Sequence, residues 1–258
     1  MTAALEVRAL SVRFGGVTAL GDVTFAVASG TVTSLIGPNG AGKTTAFNVV
    51  TGFQRPSAGE VSHEGAIITG WRPHRIARRG VVRTFQKTSL FPDLTVVDNV
   101  RTGLHLQGRV GLAAALLARG RVREEDRRLG TEAERLVDFV GLGARKKESA
   151  SALPYGDQRR LALAVALAAR PRLLLLDEPA SGMTASEKLG MAQLVRRIRD
   201  GGVTVFLVEH DMGLVMGISD RVLVLDHGRL IAAGSADEVR RHPEVIRAYL
   251  GASARAPA

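Results

Sequence analysis

Gly37-Pro38-Asn39-Gly40-Ala41-Gly42-Lys43-Thr44, followed by Thr45, fits the pattern G-x-x-x-x-G-K-[ST]. Residues of these types at this spacing let backbone N–H groups close around phosphate oxygens. The start of a following helix adds partial positive charge, Lys43 reaches the terminal phosphates, and the Thr44 hydroxyl serves Mg²⁺. Taken alone, the stretch could also be a glycine-rich turn before a helix. Residues 173–178, Leu-Leu-Leu-Leu-Asp-Glu, supply the other half of such a site. An aspartate at the carboxyl end of a buried parallel strand lies where ligands bind in open α/β sheets, so Asp177 can orient Mg²⁺. Glu178 can polarise an attacking water as general base. Without Lys43, the same acidic pair would read as a strand end running into a solvated loop.

Three single residues gain meaning only within that frame. Gln86, just past a short strand, is placed for its amide to touch Mg²⁺ or the lytic water, although a lone glutamine at a strand end is unremarkable. His210 can hydrogen-bond a terminal phosphate and hold Glu178 in line, or it is a surface histidine. Phe14 can stack on a purine ring, or plug the core beside Gly15 and Gly16.

The elements that must position these residues follow from periodicity. Residues 5–12 and 22–28 alternate apolar and polar, as half-buried strands do, with a break at 14–16, and they open an antiparallel lobe. Residues 31–36 form a strand that enters the glycine-rich loop, and residues 43–50 form a helix ended by Gly52. Residues 81–85 are another short strand. From there to Leu173 the pattern is helical, with Thr95 and Asp98 resembling a capping box and a charged, solvated stretch at 120–128. Residues 124–140 have helical spacing of Leu129, Ala133, Leu136, Val137 and Val140. Four consecutive leucines are too short for a buried helix and form a strand covered on both faces. A helix at 186–199 joins it to a strand at 203–208, as in a crossover within a parallel sheet. Residues 221–226 and 229–233 make a hairpin around His227-Gly228, Ser235 and Glu238 cap a short helix, and residues 243–250 form the last one.

Composition bounds the rest. At 258 residues, one large domain with a subsidiary lobe is expected, and 45% hydrophobic with 23% charged residues is ordinary for globular chains. The absence of cysteine excludes disulfides, thiolate catalysis and Cys-ligated zinc. The longest uncharged apolar run, 161–169, is about half of the roughly twenty residues needed to span a bilayer, and the N-terminus lacks signal-peptide character, so a cytoplasmic location is expected. A net charge of +10 calls for an anionic partner, but aromatics at 4% give no base-stacking platform, so nucleic acid is not expected.

The order of the Lys43 loop, Gln86, the segment at 153–160, Asp177-Glu178 and His210 resembles an ABC transporter ATPase subunit over nearly the whole chain. The stretches LIGPNGAGKTT, VVRTFQ, YGDQRR, VEHDMGLVMGISDR and PEVIRAYLG are similar to the larger ATPase subunit of branched-chain amino-acid importers. The resemblance implies an α/β fold: a P-loop ATPase core with a mainly parallel sheet and an antiparallel β lobe over 1–86 and 170–258. A helical subdomain over 87–169 would carry the signature segment. It also implies ATP and Mg²⁺ as ligands and a second ABC ATPase subunit, identical or homologous. Two membrane permeases would contact the helical insertion, a solute-binding protein outside the cell would act indirectly, and the chain would sit peripherally on the inner face of the membrane. ATP would lie against Phe14, Asn39, Gly40, Ala41, Gly42, Lys43, Thr44 and Thr45 of one subunit and Pro154, Tyr155, Gly156 and Asp157 of the other. Thr44, Gln86 and Asp177 would attend the metal, and Glu178, His210, Gln86 and Lys43 the chemistry.

Two positions depart from the family pattern. Pro154 stands where a small hydroxyl residue is usual, which suits a first helical turn but removes a phosphate donor. Thr184 stands where Asp or Asn is common, and with Glu187 it can instead cap the next helix. Other readings are an importer of an amide or another small solute, a soluble ABC ATPase acting on nucleic acid, or a P-loop kinase or GTPase. The nucleic-acid enzyme lacks its long coiled-coil insertion or basic tail here, and the GTPase lacks an Asn-Lys-x-Asp guanine reader.

Overall fold

A computed structural model describes residues 2–84, 90–104 and 119–253. Its strands, in chain order, are β1 (Ala3–Phe14), β2 (Val17–Ala28), β3 (Val32–Ile36), β4 (Ala58–His63), β5 (Ala66–Ile67), β6 (Val81–Arg83), β7 (Leu173–Asp177), β8 (Thr204–Val208), β9 (Arg221–Asp226) and β10 (Arg229–Gly234). They form two sheets, an antiparallel one ordered β2-β1-β4-β5 and a mainly parallel one ordered β10-β9-β3-β8-β7-β6. The described residues fall into two compact units, one within 1–83, 172–181 and 188–258, the other within 84–171 and 182–187.

All ten described strands belong to the first unit. The hairpin of β1 and β2 is longer than the alternation predicts because the register shifts between Val7 and Leu10, with Ala9 at φ 49°. Such a bulge breaks the period of two while keeping both Val7 and Leu10 inside. In the parallel sheet, every residue of β3, β7 and β8 is buried, as expected for strands covered on both faces. The main core joins the two sheets to helix Lys43–Val50: Phe206 of β8 is fully buried, with ring centroids 5.0 Å from Phe47 and 5.6 Å from Phe25. Phe206→Ala should therefore destabilise the chain by about 3–5 kcal/mol, read as a lowered denaturation midpoint. A loss below about 1 kcal/mol would mean that the two neighbouring rings close the cavity.

The structure adds β4, β5 and helix Pro73–Arg78, none of which the sequence pattern marks. In that helix only Ile76 is buried, too little to write a helical period. Helix Ala185–Asp200 buries Met191, Leu194, Val195 and Ile198, the stripe expected of an amphipathic crossover. Thr184 and Glu187 cap it: the Thr184 N–H and hydroxyl both donate to Glu187 Oε2 at 2.8 Å. A capping box formed by Ser235 and Glu238 opens helix Ala236–Arg241.

The second unit is built on helices Val96–Leu104, Arg119–Phe139 and Tyr155–Ala168, which bury Val96, Val100, Ala133, Val137, Leu161 and Ala164. Thr95 caps the first of them by accepting the Asp98 N–H at 3.1 Å. Among the described residues, no helix is long and apolar enough to cross a membrane.

Candidate functional site

β3, β8 and β7 lie side by side and parallel, so the loops after them emerge at one edge of the sheet. Those loops carry Gly37 to Gly42, with Lys43 opening the helix that follows, Glu209 to Asp211, and Glu178 to Ser181 respectively. This is the place where open α/β sheets bind ligands.

Gly37 has φ 151°, and a Cβ there would come within 2.0 Å of the Leu225 carbonyl oxygen on β9, so only glycine lets the loop leave the sheet at this point. Gly42, the N-cap of helix Lys43–Val50, has φ 100° and no side-chain cap. The N–H groups of that first turn therefore remain open to an anion. Lys43 is buried, and its Nζ donates to the Gly37 and Pro38 carbonyls at 2.7 and 2.9 Å. Burial pushes the ammonium pKa below its ordinary value, while the carboxylates of Glu178 and Asp177 pull it back up. Asn39, Gly40 and Thr44 are exposed, Thr45 is half-buried and Ala41 is buried. Phe14 ends β1 with 49% of its surface exposed, so it does not plug the core and is open to stacking.

Asp177, the last residue of β7, accepts Arg83 Nη2 on Oδ2 at 2.6 Å, and both side chains are only 6% exposed. Arg83 also donates to Asn48 Oδ1 at 2.6 Å, which links β6, β7 and helix Lys43–Val50. Glu178 follows with φ 49°, a left-handed conformation unusual for a residue with a side chain. Its N–H donates to Val208 O at 2.9 Å, and its Oε1 lies 2.8 Å from His210 Nε2. The structure thus brings Glu178 and His210 together, and His210 is no isolated surface residue. Gln86 lies outside the described residues.

Thr44 and Asp177 offer the hard oxygen donors that Mg²⁺ accepts alongside phosphate and water. Among the described residues, no group of three His, Cys, Asp or Glu side chains could hold a metal by itself.

The other predicted segment lies in the second unit. Pro154 is the N-cap of helix Tyr155–Ala168 and contributes no side-chain cap bond, so it stands one position before the first helical turn rather than within it. Tyr155 is 47% exposed, and its hydroxyl accepts from Arg159 Nε at 3.0 Å. Gly156 is buried, and a Cβ there would meet Glu187 Oε1 at 2.3 Å. Asp157 lies in the first turn, 3.7 Å from Arg145 Nε.

Sequence reasoning overlooked two residues of the site. Arg83, the partner of Asp177, sits in β6 opposite Leu175, and an arginine inside an apolar strand was the available signal. Tyr249 of helix Pro243–Ser253 packs on the cluster containing Ile36 and hydrogen-bonds the Gly37 backbone, and burial pushes its phenol up to about 12. Nothing in its local spacing announces that contact.

The fold and this edge of the sheet define an ATPase of the ABC type. The family description "ABC transporter" matches residues 20–181, and the chain belongs to that family. A second description, branched-chain amino acid ATP-binding cassette transporter, matches residues 229–255. Over 248 residues, 96% of this chain and 97% of the relative, the sequence is 43% identical to the high-affinity branched-chain amino acid transport ATP-binding protein BraF of Pseudomonas aeruginosa. It is 42% identical, over the same shares, to the protein of the same description, LivG, of Escherichia coli K12. A crystal structure of an ATP-binding cassette of an ABC transporter in its ADP conformation superposes with a TM-score of 0.85 at 29% identity, covering 97% of this chain and all of that one.

Proposed function

We propose that this chain is the ATP-hydrolysing, energy-coupling subunit of an importer of branched-chain amino acids. The 2.8 Å contact between Glu178 and His210, at the strand edge that also carries Lys43, supports the chemistry. Relatives named for branched-chain amino acid transport over nearly the full chain support the solute.

The first-turn N–H groups of helix Lys43–Val50 and the Lys43 ammonium hold the phosphates of ATP, with the Lys43 Nζ leaving its two loop carbonyls to reach them. Phe14 stacks on adenine. Mg²⁺, when bound, would neutralise charge on the terminal phosphates; Thr44 and Asp177 would hold it, and Arg83 fixes the carboxylate of Asp177. Glu178 accepts a proton from the water that attacks the γ-phosphorus, ADP departs, and His210 keeps the Glu178 carboxylate aimed at that water. Gln86 completes the set by resemblance alone.

A second ATPase subunit, identical or homologous, supplies Pro154, Tyr155, Gly156 and Asp157 to the same nucleotide. ATP binding closes the pair, hydrolysis reopens it, and the helical unit passes the motion to two permeases. The chain therefore works peripherally at the cytoplasmic face of the membrane, where its charge of +10 suits anionic lipid. The solute is chosen by the permeases and an extracytoplasmic binding protein. Deleting the gene should abolish uptake of labelled leucine, isoleucine and valine together. Loss of amide uptake with these three intact would overturn the solute assignment.

Pro154 contributes neither a hydroxyl nor an N–H to that second half-site. Pro154→Ser restores a donor, and it should raise the ATPase rate of the assembled complex several-fold, on the order of the gain from one charge-assisted hydrogen bond. It should also add about 1 kcal/mol as a helix N-cap. A stabilised protein with an unchanged rate would show that the position serves only the helix.

A further inference from the structure

Beyond the residues already given roles, one buried carboxylate joins the two loops that carry the chemistry. Parallel pairing of β7 with β8 ends at Asp177 opposite Val208, and the last bond across the pair is Glu178 N–H to Val208 O at 2.9 Å. Beyond that bond, Glu209 ties the two loops together through its side chain. Its side chain belongs to a residue only 3% exposed; Oε1 accepts the Ala180 N–H at 2.7 Å and Oε2 the His210 N–H at 3.0 Å, with the Asp211 N–H bound as well. Ala180 stands two residues after Glu178, and His210 directly follows Glu209.

We propose that Glu209 is a positioning residue for ATP hydrolysis: its carboxylate clamps the Glu178 loop to the His210 loop and so sets the contact between those two side chains. His210 gains from such an anchor because its own side chain is 45% exposed. Buried carboxylates are costly unless hydrogen-bonded, and here backbone N–H groups satisfy both oxygens. Burial and the neighbouring Glu178 charge push the Glu209 pKa up, while the three N–H groups favour its ionised form. Glutamine cannot replace it: one end of the amide would turn an N–H toward a backbone N–H on one of the two loops.

This inference rests on the reading that Glu178 and His210 serve hydrolysis, and its test separates the two. In the assembled complex, Glu209→Gln should lower kcat by about tenfold or more, with KM for ATP and the nucleotide affinity of the isolated chain changed by less than about threefold. Because Glu209 acts through His210, adding Glu209→Gln to His210→Ala should cost less than about twofold further. Glu209→Asp keeps the charge with a shorter reach and should fall between wild type and Glu209→Gln; it carries the same cycle if the glutamine variant does not fold. A kcat unchanged by Glu209→Gln, or a full additional loss on the His210→Ala background, overturns the clamp. Normal turnover in both Glu178→Gln and His210→Ala would instead overturn the underlying reading of the site.

Discussion

Glu178→Gln should leave ATP binding intact while lowering turnover by about 10²–10⁴-fold, the range for removal of a general base. The substitution keeps the shape of the side chain, so the contact to His210 Nε2 at 2.8 Å can persist, and the backbone bond to Val208 is untouched. What is lost is the capacity to take a proton from water. The left-handed backbone at Glu178 points the same way: a residue with a side chain at φ 49° carries a conformational cost that persists where function requires it. Nucleotide affinity and single-turnover hydrolysis measured together decide the matter, and turnover within about tenfold of wild type would remove Glu178 from the role of base.

Gly37→Ala should abolish nucleotide binding and destabilise the chain by several kcal/mol, beyond the usual 1–3 kcal/mol of an overpacked core. The added methyl would stand 2.0 Å from Leu225 O and 3.1 Å from Leu225 C, which are backbone atoms of a buried strand and cannot rotate away. Relief requires moving the Lys43 loop, and with it the contact from Tyr249. Gly65→Ala is the control, since Gly65 has φ 76° with no atom within 4 Å of an added Cβ. It should cost only about 1 kcal/mol of backbone strain and leave ATP hydrolysis as it was. Thermal unfolding and nucleotide titration of the two variants separate close packing from backbone strain, and equal losses in both would contradict the packing explanation.

The parts of the site that are local in sequence were legible there. The Lys43 loop, the four leucines before Asp177, and the Thr184–Glu187 and Ser235–Glu238 caps are each defined within a few residues, and the structure forms all of them. The hairpin ends, β4, β5 and helix Pro73–Arg78 were not. A bulge at Ala9 breaks the alternation of β1, and β4 buries only Val61 and His63. Non-local partnerships left the least trace: Arg83 with Asp177, Tyr249 with Gly37, and Glu209 with Ala180 connect residues far apart in the chain. Pro154, whose ring suits the start of a helix, stands at the cap, one position before the first turn, with ψ 153°.

Uptake of labelled leucine by the native cells, wild type against a chromosomal Glu178→Gln substitution, with equal amounts of the protein at the membrane, is the most direct test that hydrolysis on this chain drives import. The expected result is loss of uptake in the variant, with isoleucine and valine competing for uptake in the wild type. Leucine uptake at the wild-type rate in the variant would contradict it.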